Sequence, residues 1–391
     1  MTTVAGQSVV TNNERLTILF LVQGLEIGGA ERQLVTLARG LRRRGHRVIV
    51  VPFYEGGPLR QGLIAERVEI LDLKKAGRWD VVPFVFRLLR TIRVVKPEVI
   101  YSFLTVPNIL LAAIKLLIPG GGTAWGIRSA GMDLSRYDRV IRLTYLVERI
   151  LAWLPDKIIV NSRAAMSFFE SQGYPADRLV AVPNGIDTDY FFFEECGRHD
   201  QREAWGFEKD DFVLGFSARL DPIKDHETFI EAVSICKKTN SRLKFVCAGG
   251  GPKNRTKNLK ELTEKLNLER DLIWAGELKD MRGFYSACDA ITLTSYSESF
   301  PNGIAEAMAC ELPPVSTDVG DCRWIVGDAG IIVPPKEPEA LAQAWLQLAS
   351  ETKEKHVLRG EKSRQRILDN FSQDTMIAES ERVLLKIAQK G

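Results

Sequence analysis

The sequence holds little that would mark a secreted, metal-bound or bilayer-spanning protein. Six cysteines in 391 residues, at 196, 236, 247, 288, 310 and 322, include no CxxC pair and no regular spacing. That argues against a disulfide framework or a thiolate zinc site and fits a reducing, cytoplasmic compartment. The first fourteen residues, MTTVAGQSVVTNNE, lack a cationic stretch ahead of an apolar core, so a frayed tail is expected there and not a signal peptide. The longest apolar stretch, Ile109 to Pro119, is broken by Lys115 and is too short to span a bilayer as a helix. Any membrane contact would then be peripheral. No full GxGxxG followed by an acidic residue opens either half, which argues against a dinucleotide-dependent dehydrogenase. The net charge of +3 gives no reason to expect nucleic acid as a partner.

What is present is enough apolar residue for two cores, 45% of a 391-residue chain. Short apolar runs alternate with amphipathic stretches, the pattern of a parallel sheet with crossover helices. Strands are expected at 16–22, 47–53, 68–73, 98–103, 123–127, 157–161 and 179–183, then at 212–218, 244–249, 272–276, 290–295, 314–319 and 331–335. The turn-rich stretch after Pro183, PNGIDTDYFFFEECGRHDQREAW, reads as a linker. The expected organisation is a tail over 1–14, an α/β Rossmann-like domain over 15–185, a second over 186–371, and a last helix, 372–391, returning to the first. Charge divides unevenly. Met1 to Thr188 carries 25 Lys+Arg against 16 Asp+Glu, and the remainder 28 against 34. The basic first half, with Arg42, Arg43 and Arg44 and the stretch VVPFVFRLLRTIRVVK holding Arg87, Arg90 and Arg93, admits contact with anionic lipid at the inner face of a membrane. An ordinary sheet-covering helix fits the same pattern.

Three motifs fall just after strands, where open α/β sheets bind ligands. Gly28 and Gly29, in GLEIGGAE, let backbone approach an anion at a helix start, although a plain tight turn would read the same. In SARLDPIKD, Arg219 offers a planar fork and Lys224 a compact charge, a combination suited to a diphosphate. Lys224 sits where a helix dipole disfavours a cation, which suggests a bound anion. The third motif, ESFPNGIAE, places Glu298 in a loop and Glu306 on the second turn of the helix opened by Pro301. Two carboxylates beside free helix amides suit sugar hydroxyls and a phosphate.

Together, Arg219 with Lys224, Glu298-x7-Glu306 in the form ESFPNGIAEAMA, the IGGAE loop and VPNGID resemble the retaining GT4 family (glycosyl transferases group 1) of the GT-B fold, over nearly the whole chain. The resemblance implies two Rossmann-like domains facing across a cleft, with a nucleotide-diphospho-sugar held mainly by the second domain and an acceptor by the first. UDP is the expected nucleotide because it is common among such enzymes. Carried over by position, the catalytic residues are Glu298 on the transferred sugar and Arg219 and Lys224 on the departing diphosphate. Donor contacts extend to Gly28, Gly29, Gly250, Glu277, the backbone of Phe300, Pro301 and Asn302, and Glu306 on the ribose. The histidine that many relatives place near the reacting sugar is missing from WGIRSAGMDLSRY, where Arg128 or Asp133 takes the equivalent space on the acceptor side. His46 reads as structural, and Asp187-x-Asp189 lies in the linker, so no metal or other cofactor is expected. The implied activity is transfer of a sugar, with retention, to a glycan or lipid-linked acceptor in polysaccharide biosynthesis. A sugar-nucleotide 2-epimerase and a non-catalytic nucleotide-sugar-binding subunit remain as alternatives.

Overall fold

The computed structural model describes residues 15–77, 79–118, 120–128, 139–239 and 242–389. Among the described residues, thirteen strands lie where the apolar runs predict them, in two all-parallel sheets. The chain divides into two compact units, one of Met1–Gly185 with Gln373–Gly391 and one of Ile186–Ser372.

The first unit runs β1 (Thr17–Val22), α1 (Gly29–Arg43), β2 (Arg47–Pro52), α2 (Arg60–Ala65), β3 (Glu69–Ile70), α3 (Val82–Val95), β4 (Val99–Phe103), α4 (Thr105–Ile114), β5 (Gly122–Ile127), α5 (Arg139–Leu151), β6 (Lys157–Val160), α6 (Arg163–Ser171) and β7 (Leu179–Ala181). Its sheet order is β3-β2-β1-β4-β5-β6-β7. Both faces are covered, which is why its strands read as continuous apolar runs. Leu34, Leu37, Ala38 and Leu41 of α1 are fully buried on one face, and Phe84, Leu88 and Ile92 of α3 cover the other.

The second unit opens with α7 (Glu195–Ala204), then β8 (Phe212–Ser217), a 3-10 turn (Pro222–Lys224), α8 (His226–Lys237), β9 (Leu243–Ala248), α9 (Lys253–Lys265), β10 (Leu272–Gly276), α10 (Met281–Ala287), β11 (Ala290–Leu293), α11 (Asn302–Ala309), β12 (Pro314–Thr317), α12 (Cys322–Val326), β13 (Ile331–Val333), α13 (Pro338–Ala349) and α14 (Lys353–Asn370). The order is β10-β9-β8-β11-β12-β13. Helix α7 falls within the expected linker. It escapes the periodicity argument because only Arg202 of its residues is buried. Polar contacts hold it: Arg198 and Arg202 both reach the Asp289 carboxylate, at 2.6 and 3.2 Å.

The final helix, α15 (Gln373–Ala388), belongs to the first unit and buries Met376, Leu384 and Ile387 in its core. Its polar anchor is Glu381, which accepts from Arg44 at 2.7 Å and lies 2.7 Å from His46 Nε2. His46 is fully buried, and its Nδ1 accepts from the Leu16 amide at 3.1 Å. Removing this carboxylate leaves two polar groups without it. Glu381→Ala is expected to lower stability by about 2–3 kcal/mol, read as a lower urea midpoint, with Ser372 to Gln373 becoming protease-sensitive first. An unchanged midpoint would show that α15 is held by its apolar face alone.

Candidate functional site

In the second unit β8 pairs with β11, skipping two strands. The connection after β8 leads to α8, whose Phe229, Ile230 and Val233 pack on one face, while that after β11 leads to α11, whose Ile304, Ala307 and Met308 pack on the other. The two loops therefore diverge at the strands' carboxyl ends and leave an opening between them. Arg219, Lys224, Glu298 and Glu306 all lie on this edge.

Lys224 closes the 3-10 turn, which Asp221 caps by accepting from the Ile223 amide at 3.0 Å. Asp225 follows in the left-handed region (φ 49°) and caps α8 by accepting from the Thr228 amide. Thr294, one residue beyond β11, donates to the carbonyls of Lys224 or Asp225 at 2.7 and 2.9 Å and ties this turn to the next loop. The Lys224 ammonium forms a short ion pair with Glu298, whose same oxygen accepts from Ser295 Oγ at 2.6 Å. The lysine's position ahead of a helix thus has a partner in the chain itself, the Glu298 carboxylate. Arg219 is exposed at the same edge.

Behind the Glu298 loop, Gly320 (φ 53°) passes so close that a Cβ would stand 2.4 Å from the Glu298 carbonyl. Only glycine fits. Phe300 is buried with its ring against Phe371, centroids 5.7 Å apart. Pro301 precedes α11 as its N-cap, and Asn302 is the first helical residue. Glu306, one turn further, accepts from the buried Tyr285 hydroxyl at 3.1 Å, and that hydroxyl lies 3.1 Å from Ser217 Oγ at the end of β8. Burial, reinforced by the Glu306 charge, pushes the Tyr285 phenol well above its ordinary range, so it stays a donor. After β9, Gly249 (φ 147°) would place a Cβ 1.8 Å from the Ala218 carbonyl. Gly250 adjoins the exposed Glu277, whose Oε2 would lie 3.2 Å from a Cβ built there.

The remaining expected residues belong to the first unit. Gly28 is the N-cap of α1, where a Cβ would meet the Glu31 carboxylate at 2.1 Å, and Gly29 faces open space. Arg128 directly follows β5, with its guanidinium 4.9 Å over the Phe103 ring and its two terminal nitrogens 3.3 Å from Asn184 Oδ1 and 3.4 Å from Tyr101 OH. Asp133 lies outside the described residues. Sequence reasoning missed Tyr285, Ser295, Thr294 and Gly320. Their roles come from the fold bringing distant segments together, and no local pattern announces them.

One further neighbour is His226, the first residue of α8, fully buried between Phe216 (4.7 Å) and Trp274 (6.3 Å). Neither ring nitrogen has a hydrogen-bond partner among the described residues. Burial, and then the positive charge of Arg255, bring its pKa down to about 4, so it is neutral near pH 7. The unfolded chain takes up this proton below about 6.5 and the folded chain only below about 4, so stability is lost as pH falls across that window, by up to about 3 kcal/mol. His226→Leu is expected to remove that part of the slope in urea titrations between pH 6.5 and 4, and parallel profiles would refute the assignment. Separately, Tyr285→Phe is expected to cost about 1 kcal/mol or more, and an unmoved unfolding midpoint would mean that the phenol does not support Glu306.

Two family models match the chain: "Glycosyltransferase Family 4" over residues 27–190 and "Glycosyl transferases group 1" over 197–366. A D-inositol 3-phosphate glycosyltransferase of Thermomonospora curvata is 25% identical over 52% of this chain and 51% of its own. An alpha-1,4-N-acetyl-D-galactosaminyltransferase of Campylobacter jejuni, named for an undecaprenol-linked glycan acceptor, is 25% identical over 77% of this chain and 79% of its own. For the first curated relatives, the match spans about half the relative's length. Among solved structures, Anabaena Alr3699/HepE in complex with UDP superposes with a TM-score of 0.83 at 21% identity, covering 95% of this chain and 100% of that one, a likeness in fold. With one model matching each half and the same tandem Rossmann-like architecture, the protein belongs to the family 4, group 1 glycosyltransferases of the GT-B fold.

Proposed function

We propose that the protein transfers a sugar from a nucleotide-diphospho-sugar, a UDP-sugar in our reading, to a hydroxyl of a glycan or lipid-linked acceptor, with retention of configuration. The observation that supports this reading is the Lys224–Glu298 ion pair between the loops that follow β8 and β11, with Arg219 exposed after β8 and Glu306 oriented by Tyr285 on α11. UDP is favoured because the Anabaena structures of the same fold contain UDP and UDP-glucose. A lipid-linked acceptor is favoured by the Campylobacter relative's named acceptor, and we place the protein at the inner face of a membrane on the basic charge of its first half.

In the proposed reaction the donor diphosphate takes Lys224 from Glu298 and gains Arg219 as a second cation. Glu298, still held by Ser295, is then available to the hydroxyls of the transferred sugar, while Glu306 takes the ribose hydroxyls. The acceptor hydroxyl attacks the anomeric carbon from the face that the diphosphate leaves, and a diphosphate oxygen accepts its proton. Negative charge grows on the departing nucleotide, so fixed cations favour the transition state over the ground state. No step requires a metal or another cofactor.

Losing one charge-assisted contact of about 1.5–3 kcal/mol should slow transfer roughly ten- to a hundredfold or more in Lys224→Ala. In a panel of nucleotide sugars, the true donor at about a hundred times its dissociation constant should protect against thermal unfolding by about 2.7 kcal/mol. Wild-type turnover by Lys224→Ala would remove the diphosphate assignment, and epimerised donor formed without acceptor would replace transfer with epimerisation.

A further inference from the structure

Helix α5 is built inside out. Of its 13 residues the buried one is Glu148, while Val140 (70% exposed), Leu143 (60%), Leu146 (50%) and Ile150 (65%) face outward. At about 100° per residue, these four fall within an arc of about 120°. The inward Glu148 is held by two residues of α4, accepting from Asn108 Nδ2 at 3.0 Å and Thr105 Oγ1 at 3.2 Å. These polar contacts and Leu151, packed on the core, dock the helix, and four of its aliphatic side chains are left facing outward.

The exposed charges of the helix itself have one sign. Arg139, Arg142 and Arg149 are all exposed, and the helix's acid is the buried Glu148. The apolar strip continues past the end of α5 through Trp153 (60% exposed). A 3-10 turn, Lys115–Leu117, lies beside it because Lys115 Nζ donates to the Leu154 carbonyl at 2.6 Å and reaches Asp156 at 3.1 Å. That turn presents Leu116 (93%) and Leu117 (54%). The helix alone gives the strip a length of about 20 Å. Helix α3, a candidate from the sequence, differs: it buries Phe84, Leu88, Leu89 and Ile92 on the sheet. Its Arg87 is occupied by the Leu73 carbonyl and Asp80.

We infer that α5, with Trp153 and the Lys115–Leu117 turn, seats the chain on an anionic lipid surface. Aliphatic side chains and a tryptophan enter the headgroup boundary while flanking arginines meet lipid phosphates. A neutral apolar partner would not select a helix whose exposed charges are Arg139, Arg142 and Arg149, in a half of the chain that carries 25 Lys+Arg against 16 Asp+Glu. The inference gives a location to the inner-face membrane setting proposed above, and it does not depend on the donor.

The test is co-sedimentation of the full chain with vesicles of phosphatidylglycerol and phosphatidylcholine in equal parts, against phosphatidylcholine alone. Binding is expected to the anionic vesicles and to weaken with salt. The triple variant V140S/L143S/I150S should lower it at least tenfold. Arg139→Gln and Arg149→Gln should each lower it about fivefold, and Phe86→Ser on α3 should leave it in place. These side chains are exposed, so melting temperatures and thermal protection by UDP-glucose should match wild type. Variants that bind vesicles as well as wild type would overturn the inference. So would lipid-independent self-association that the triple variant abolishes, which would assign the strip to a second copy. Absence of UDP-glucose protection in the wild type would count against the donor reading and leave the lipid result standing.

Discussion

The pairing of β8 with β11 is the constraint on which the candidate site depends. Right-handed crossovers send the chain after β8 to one face of the sheet and the chain after β11 to the other. Adjacent strands therefore part company at their carboxyl ends, and nothing in the sheet itself fills the gap. The residues that border it are not neighbours in sequence. Lys224 and Glu298 stand 74 positions apart, and Thr294 fastens their two loops through backbone carbonyls. The first unit repeats the arrangement at β1 and β4, with α1 on one face and α4 on the other.

Much of the fold was legible because parallel strands buried on both faces leave unmistakable apolar runs. The reversal of order in each sheet left no such trace. Helix α7 was hidden because arginines and not leucines fix it. Helix α5 was hidden for the opposite reason, since its amphipathic pattern is real but its apolar side is the exposed one. At the candidate site, ESFPNGIAE and SARLDPIKD drew attention through short-range spacing to residues that the fold sets in the loops after β8 and β11. What spacing could not convey was that Lys224 and Glu298 satisfy each other, or that Tyr285 stands between Ser217 and Glu306.

Those pairings give the site a defined resting state. A cation and carboxylate that neutralise one another need no counter-ion, and the Ser295 hydroxyl gives the same carboxylate oxygen a second, independent anchor. The Tyr285 phenol, kept protonated by burial, does the same for Glu306. Both carboxylates are thereby oriented before any ligand arrives, which reduces the ordering that binding would otherwise require.

The return of α15 to the first unit has a consequence for how the protein is made. Because Ile186–Ser372 is one continuous stretch, its core closes from a single segment of chain, and domains generally fold as units. The unit synthesised first has to wait for Met376, Leu384 and Ile387, so the earlier half of the protein is the later to mature. Until then the α1 surface that those side chains cover is open to water, and a nascent chain stalled short of α15 would carry a finished second unit joined to an unfinished first.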